Sequence, residues 1–311
     1  MIKKIDQTVI RGLDPTLGYA YSHEDDLPLL ENEKYENGLI YIGNKETAKV
    51  KIGILGGSTS DISLSGSWLR PMYKLLNDEN ICIISGAMSG YSTSQELLKL
   101  IRDIIPSKPD IVLSLNGIND MNFTQCASPK HPLIHSYQVK LGNFLVKKYG
   151  TNSNTSHFFN KYSSKTTKPM GMNSNMDIGN LILGFENSIE SFESWYRNIK
   201  MAKALCKEFD IKYLSFLQPT FGVGKYEFNK KEETIYKEYL KEINPLYDKS
   251  LHKFYKNARL IVKMNSDFMI DLVDIFQDYS EFYYDIRHPN KKGNEILARE
   301  ITKIIKEKKY I

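Results

Sequence analysis

Short apolar runs alternate with amphipathic segments of helical spacing from residue 50 to the end of the chain. Five runs have the length and composition of buried strands, at 50–55, 80–85, 110–116, 212–217 and 269–276. Segments with helical spacing of apolar residues follow them, at 65–76, 94–105, 188–209, 231–255 and 289–308. Strands buried on both faces and joined through helices form parallel sheets. The sequence therefore predicts an α/β fold, a three-layer α/β/α sandwich with a mostly parallel five-stranded sheet.

The remaining segments predict the domain organisation. Residues 1–49 are irregular and are expected to form an N-terminal extension, with one hairpin, packed on a main domain at 50–311. A lid-like insertion is expected at about 122–185, because 151–180 are dense in Asn, Ser, Thr and Lys and show little periodicity. Pro245 should kink or interrupt the helix predicted at 231–255.

Composition narrows the class of protein. The 311 residues carry a net charge of +5 with scattered lysines, which favours a solvated surface and supplies no nucleic-acid-binding motif. The three cysteines, Cys82, Cys126 and Cys206, are widely spaced and odd in number, which argues against disulfides and a cysteine metal site. No run approaches the length of about 18 apolar residues that a membrane span requires, and no signal peptide is recognised. We expect a cytoplasmic protein without stable membrane insertion.

The first predicted strand leads directly into Gly56-Gly57-Ser58-Thr59. Ligands of parallel sheets bind beyond the carboxyl ends of the strands. Two glycines allow a sharp turn there, which would present Ser58 as a nucleophile at the sheet edge. Ser58 or Thr59 could instead cap the next helix. A phosphate-binding loop is not indicated, because its spacing and its lysine are missing.

Polar or glycine-rich turns also follow the second and third strands. After the second, Gly86 or Gly90 could direct a backbone N–H toward a bound oxygen. After the third, Asn119 could aim its side-chain amide at the same point, although Gly-x-Asn-Asp also commonly marks a turn.

A fourth candidate element lies just before the last predicted helix. Asp285 precedes His288 by three residues, so its carboxylate can accept a hydrogen bond from the imidazole Nδ1. That bond would leave Nε2 to take a proton from a serine. The alternative is that Asp285 caps the helix and His288 is incidental.

Together, in chain order, these four elements resemble the signature blocks of the SGNH/GDSL hydrolase superfamily, over residues 50–300. The resemblance implies the flavodoxin-like SGNH fold and a catalytic triad of Ser58, Asp285 and His288. It also implies an oxyanion hole made by the backbone N–H groups of Ser58 and Gly90 and by the Asn119 amide.

One position departs from the family pattern. Gly57 stands where the namesake Gly-Asp-Ser-Leu motif has an acid, which loosens any inference toward the lipases that carry the full motif. The related elbow Gly-x-Ser-x-Gly of α/β-hydrolases is absent, because Ser60 replaces its second glycine.

By this resemblance the chain would be a serine esterase with an acyl-enzyme intermediate, a carbohydrate O-acetylesterase or another small-ester hydrolase, with no cofactor or metal. Its expected partner is a small acyl ester or an acylated carbohydrate, and aromatic residues at 221–228 could stack on sugar rings or simply fill the core. An O-acyltransferase acting on a sugar or surface polysaccharide is the alternative, followed by a non-catalytic binding module. The sequence does not indicate the oligomeric state.

Overall fold

The computed structural model describes residues 11–14, 16–21, 27–64, 67–123, 188–242, 247–278 and 281–311. Its strands are β1 (Arg11–Asp14), β2 (Gly18–Tyr21), β3 (Glu33–Glu36), β4 (Leu39–Ile42), β5 (Val50–Gly56), β6 (Ile81–Ser85), β7 (Ile111–Asn116), β8 (Lys212–Leu217) and β9 (Met269–Asp271). Its helices are α1 (Leu69–Leu76), α2 (Thr93–Lys99), α3 (Ile118–Phe123), α4 (Ser188–Glu208), α5 (Lys230–Glu242), α6 (Tyr247–Met264) and α7 (Lys291–Glu307).

Seven strands form one sheet in the order β3-β4-β6-β5-β7-β8-β9. Five adjacent strands, β6, β5, β7, β8 and β9, are parallel, which confirms the predicted α/β class and parallel core. The predicted count of five strands is wrong, because the antiparallel β3–β4 hairpin joins the sheet beside β6. Asn37 and Gly38 turn this hairpin with φ of 52° and 79°. An Asn-Gly pair is a strong hairpin signal.

Some element boundaries differ from the predicted ones. The last strand ends at Asp271, because Asp271 Oδ1 accepts from the backbone N–H of Val273 and turns the chain. The helical pattern at 231–255 is divided into α5 and α6, on either side of the position predicted for the break. Of the predicted insertion at 122–185, only 122–123 are described, at the end of α3; the lid predicted at 151–180 lies outside the described residues.

Successive side chains of the strands point to opposite faces of the sheet and form part of two apolar layers, one on each face. Helices α1 and α7 pack against each other on one face, where they bury Trp68 and Ile301. Helices α2, α4 and α6 cover the other face around Trp195, together with the buried thiols of Cys82 and Cys206. None of the described helices is long and apolar enough to cross a membrane.

A cluster of buried polar groups lies between β7 and α2. The carboxyl group of Glu96, 3% exposed, accepts from Ser114 Oγ at 2.6 Å and from Asn116 Nδ2 at 3.1 Å, both through Oε2. Asp120, 4% exposed, accepts from the backbone N–H of Thr93 at 3.0 Å. Burial, reinforced by the neighbouring Asp120, raises the pKa of Glu96 to about 8, and burial raises the pKa of Asp120 to about 7. Glu96 is therefore mainly protonated at neutral pH.

This protonation makes stability depend on pH. Folded Glu96 holds a proton that the unfolded chain releases above pH 4.5. The contribution of this proton to the free energy of unfolding is therefore complete below pH 4.5 and is lost as the pH rises toward 8. The slope is up to about 1.4 kcal/mol per pH unit. The free energy of unfolding of Glu96→Gln and of the wild type can be measured by urea titration at pH 5, 6.5 and 8. The value for Glu96→Gln should rise relative to that of the wild type as the pH rises, because Gln does not titrate. An equal difference at all three pH values would contradict the prediction.

Candidate active site

The predicted site residues converge at the carboxyl edge of the parallel strands. Ser58 follows β5, Gly90 lies in the loop after β6, and Asn119 is in the first turn of α3, directly after β7. The Asp285–His288 loop precedes α7, the helix packed against α1. Residues that are distant along the chain therefore meet at one edge, as expected of parallel sheets.

Ser58, His288 and Asp285 form a hydrogen-bonded row. Ser58 Oγ lies 2.6 Å from His288 Nε2. His288 Nδ1 lies 2.7 Å from Asp285 Oδ2 and 3.0 Å from Asp285 Oδ1. The carboxylate selects the tautomer in which Nδ1 carries the proton, so Nε2 is the atom that can accept a proton from Ser58.

Backbone donors fix the carboxylate in this row. Asp285 Oδ1 accepts from the backbone N–H groups of Arg287 at 2.8 Å and His288 at 2.9 Å. Burial alone would raise the pKa of Asp285, but the hydrogen bond from His288 and these backbone donors lower it to about 2. Asp285 is therefore ionised at neutral pH and can stabilise an imidazolium on His288.

The alternative roles left open by the sequence do not occur. The N-cap of α7 is Asn290, whose side chain accepts from Gly293 N at 3.1 Å, so Asp285 does not cap this helix. Helix α1 begins at Leu69, ten residues beyond Thr59, so neither Ser58 nor Thr59 caps it.

A tight turn presents Ser58. The backbone N–H of Ser60 donates to Gly57 O at 3.0 Å, and that of Asp61 donates to Ser58 O at 3.3 Å. Gly56 has a φ of 152°, and a Cβ there would lie 2.7 Å from Ser60 Oγ. A Cβ on Gly57 would overlap Asn119 Nδ2. Glycine at these positions therefore lets the chain turn and lets the Asn119 amide approach the backbone next to Ser58.

The loop after β6 distinguishes the two candidate glycines. Gly86 N donates to Ile54 O at 2.9 Å and so continues the sheet, which removes it as an oxyanion donor. Gly90 lies farther along, with a φ of 87°. Its loop lies beside the turn that presents Ser58, because Met88 N donates to Gly56 O at 3.1 Å. The geometry thus favours Gly90.

Asn119 is held close to both loops. Asn119 is 9% exposed, and its Nδ2 donates to Tyr91 O at 2.9 Å. An amide nitrogen carries two N–H groups. The bond to Tyr91 therefore orients the amide and leaves a second N–H for a ligand.

Gln218 borders the site, although the sequence patterns do not single it out. It is 3% exposed and follows β8, and its Nε2 lies 2.9 Å from Thr59 Oγ1 and 3.4 Å from Arg287 O. It thus bridges the residue after Ser58 and the residue before His288. The available signal was its position at the carboxyl end of a parallel strand, the same criterion that identifies the other site residues.

Two other features contribute no side chain to the Ser58–His288–Asp285 row. The aromatic residues at 221–228 pack on one another, with Phe221 buried and stacked on Phe228 at 4.3 Å, so Phe221 fills core space rather than forming an open sugar platform. A cavity of about 840 Å³ at the β9 edge is lined by Tyr255, Arg259 and Met269 among others, and by none of the predicted site residues. The described residues contain no cluster of His, Cys, Asp and Glu that could hold a metal ion.

No protein-family model matches the sequence, and no curated protein matches it. Among solved structures, the chain is similar to a GDSL-like lipase from Bacteroides thetaiotaomicron VPI-5482, at 15% identity and a TM-score of 0.43, over 83% of this chain and 88% of that one. It is similar to a lipase/acylhydrolase from Enterococcus faecalis, at 16% identity and a TM-score of 0.43, over 83% and 96%. It is also similar to a catalytic mutant of an acetylxylan esterase from Geobacillus stearothermophilus, at 14% identity and a TM-score of 0.45, over 84% and 95%. Because the sequence identities and TM-scores are this low, the likeness carries no assignment of activity, which depends on the hydrogen bonds of the site.

Gly57→Ala should displace the Asn119 amide, since the added methyl group overlaps it. Loss of one oxyanion donor costs about 10²–10³ in kcat, and we expect a loss of that order for p-nitrophenyl acetate. A double-mutant cycle with Asn119→Ala tests the cause. If Gly57→Ala acts through the amide, the double variant is no slower than Asn119→Ala alone. Losses that multiply in the double variant would contradict this explanation.

Proposed function

We propose that this chain is a serine ester hydrolase of the SGNH/GDSL superfamily, with Ser58 as nucleophile, His288 as general base and Asp285 as the group that orients His288. The observation that carries the proposal is the Ser58 Oγ–His288 Nε2 distance of 2.6 Å together with the His288 Nδ1–Asp285 Oδ2 distance of 2.7 Å. This is the geometry that nucleophilic catalysis by serine requires.

In the first half of the reaction, Ser58 Oγ attacks the ester carbonyl carbon as its proton passes to His288 Nε2. The C–O π electrons move to the carbonyl oxygen, and the resulting oxyanion accepts hydrogen bonds from Ser58 N, Gly90 N and the Asn119 amide. Collapse of the tetrahedral intermediate breaks the bond to the leaving alkoxide, which takes the proton from His288. An acyl-Ser58 ester remains.

In the second half, water attacks the acyl carbon and gives a proton to His288 Nε2. A second tetrahedral intermediate forms at the same oxyanion donors and collapses by breaking the bond to Ser58 Oγ, which recovers its proton. The net result is one ester bond hydrolysed. Asp285 stays ionised throughout, which agrees with its lowered pKa of about 2.

We propose a small acyl ester as substrate, with an O-acetylated carbohydrate as the favoured class. The turn that presents Ser58, here called the nucleophile turn, contains the small or polar Gly57 and Thr59, and the polar side chains of Asn119 and Gln218 lie against it. Surroundings of this kind suit a short acyl group on a polar alcohol better than a long lipid chain. An O-acyltransferase would use the same donors and triad, with an acceptor hydroxyl in place of water.

Ser58→Ala should abolish both turnover of p-nitrophenyl acetate and covalent labelling by a fluorophosphonate probe, because each requires the Ser58 hydroxyl. Ser266→Ala is the matched control, since Ser266 is exposed near the β9 edge and away from the triad. Its rates should equal those of the wild type. Undiminished labelling or turnover in Ser58→Ala would overturn the assignment.

An acyl-chain series of p-nitrophenyl esters tests the substrate class. We expect kcat/KM for the acetyl ester to exceed that for the octanoyl ester. Acetyl-CoA consumption with and without soluble glycan acceptors distinguishes the acyltransferase, which requires the acceptor, from the hydrolase, which does not. Faster turnover of octanoyl esters would contradict the small-ester proposal, and acceptor-dependent consumption would replace hydrolysis by transfer.

A further inference from the structure

The β1–β2 hairpin contacts the loop that contains Gly90. Tyr19 OH donates to Ser89 O at 2.7 Å, and Tyr91 OH donates to Tyr19 O at 2.6 Å. The rings of Tyr19 and Tyr91 pack edge to face with centroids 5.3 Å apart. Tyr19 is only 6% exposed. Both residues that flank Gly90 are therefore bonded to this hairpin.

The bond from Tyr19 acts on the peptide unit that contains the proposed donor. Ser89 C=O and Gly90 N–H belong to the same planar trans peptide, so they point in opposite directions. Fixing the carbonyl of Ser89 on the Tyr19 side therefore fixes the direction of the Gly90 N–H on the other side. A hydrogen bond to the carbonyl also polarises the peptide and strengthens its N–H as a donor.

A second connection runs through Asp61. Tyr21 OH donates to Asp61 Oδ1, and Asp61 Oδ2 accepts from the backbone N–H of Ser89 at 2.7 Å. Asp61 is fully buried, and its own N–H donates to Ser58 O at 3.3 Å. One carboxylate thus joins the hairpin, the Gly90 loop and the nucleophile turn.

The hairpin is itself anchored to the main domain. Arg102 Nη1 donates to both carboxylate oxygens of Asp14 at 2.8 Å, and Gln95 Nε2 donates to Leu17 O at 2.8 Å. Leu17 is completely buried. These contacts give the tyrosines a fixed base from which to hold the loop.

We propose that the β1–β2 hairpin is a positioning element for the oxyanion site, with Tyr19 fixing the Ser89–Gly90 peptide and Tyr21 acting on it through Asp61. The proposal rests on the proposed function, because it assigns the hairpin to the same acyl-transfer site. Tyr19 and Tyr21 are positioning residues and touch no reacting atom.

Tyr19→Phe and Tyr21→Phe remove only the hydroxyls and keep the buried rings. Tyr196→Phe is the matched control, because the Tyr196 hydroxyl donates to Asn265 Oδ1 at 3.3 Å, a contact between α4 and the end of α6 that involves neither the hairpin nor the Gly90 loop. In the full-length chain, we expect Tyr19→Phe and Tyr21→Phe each to lower kcat for p-nitrophenyl acetate by about tenfold or more with little change in KM, since a misdirected donor loses part of the oxyanion contribution. Tyr196→Phe should retain wild-type kcat.

The distinguishing readout is inhibition by a short alkylboronic acid, which forms a tetrahedral adduct with a serine hydroxyl. If the hairpin orients the oxyanion donor, Ki should rise in Tyr19→Phe by the same factor as kcat/KM falls, and Tm should stay near that of the wild type. Wild-type kcat and Ki in both Tyr19→Phe and Tyr21→Phe would overturn the inference, and so would an equal loss in Tyr196→Phe. Wild-type protein with neither turnover nor boronate binding would instead overturn the proposed function.

Discussion

The hydrogen bond between Ser58 and His288 joins two residues that are 230 positions apart in the sequence. Several features of the fold are needed to bring these two residues together. β5 occupies the middle of the sheet and delivers Ser58 to its carboxyl edge. The packing of α1 against α7 brings the loop that precedes α7 to the same edge. Gln218, directly after β8, then joins the two loops. A serine hydroxyl alone is a weak nucleophile, so any nucleophilic reaction of Ser58 depends on its contact with His288.

Sequence patterns predicted the parts of the fold whose periodicity is local. The apolar runs that became β5, β7 and β8 were each located within one residue, because strands buried on both faces leave an unmistakable apolar signature. The β3–β4 hairpin was expected in a peripheral extension, since nothing local reveals that Ile40 faces Ser85 of β6 across the sheet. Long-range pairing of this kind is decided by tertiary packing rather than by propensity.

The candidate site shows the same division. Ser58, Asn119, Asp285 and His288 could be chosen because each combines reactive or polar chemistry with a position at a strand end or helix start, and the structure brings Ser58, Asp285 and His288 within hydrogen-bonding distance. Gln218 was missed because a lone glutamine before a proline has no motif. Tyr19 and Tyr21 could not be found at all, since their partners lie in loops far away in sequence.

The edges of the sheet also affect how the chain meets other copies of itself. An exposed edge strand has unpaired backbone groups that can pair with an extended segment of another chain. Charged side chains on the edge strand, or a very short edge strand, disfavour such pairing. β3 carries Glu33, Lys34 and Glu36 within its four residues, while β9 at the opposite edge is only three residues long. The β3–β4 hairpin meanwhile covers β6, whose five residues are all buried. Removing this hairpin would expose the backbone of an apolar strand at the edge of the sheet. A truncated chain that lacks β3 and β4 should therefore aggregate through pairing of its exposed β6 edges.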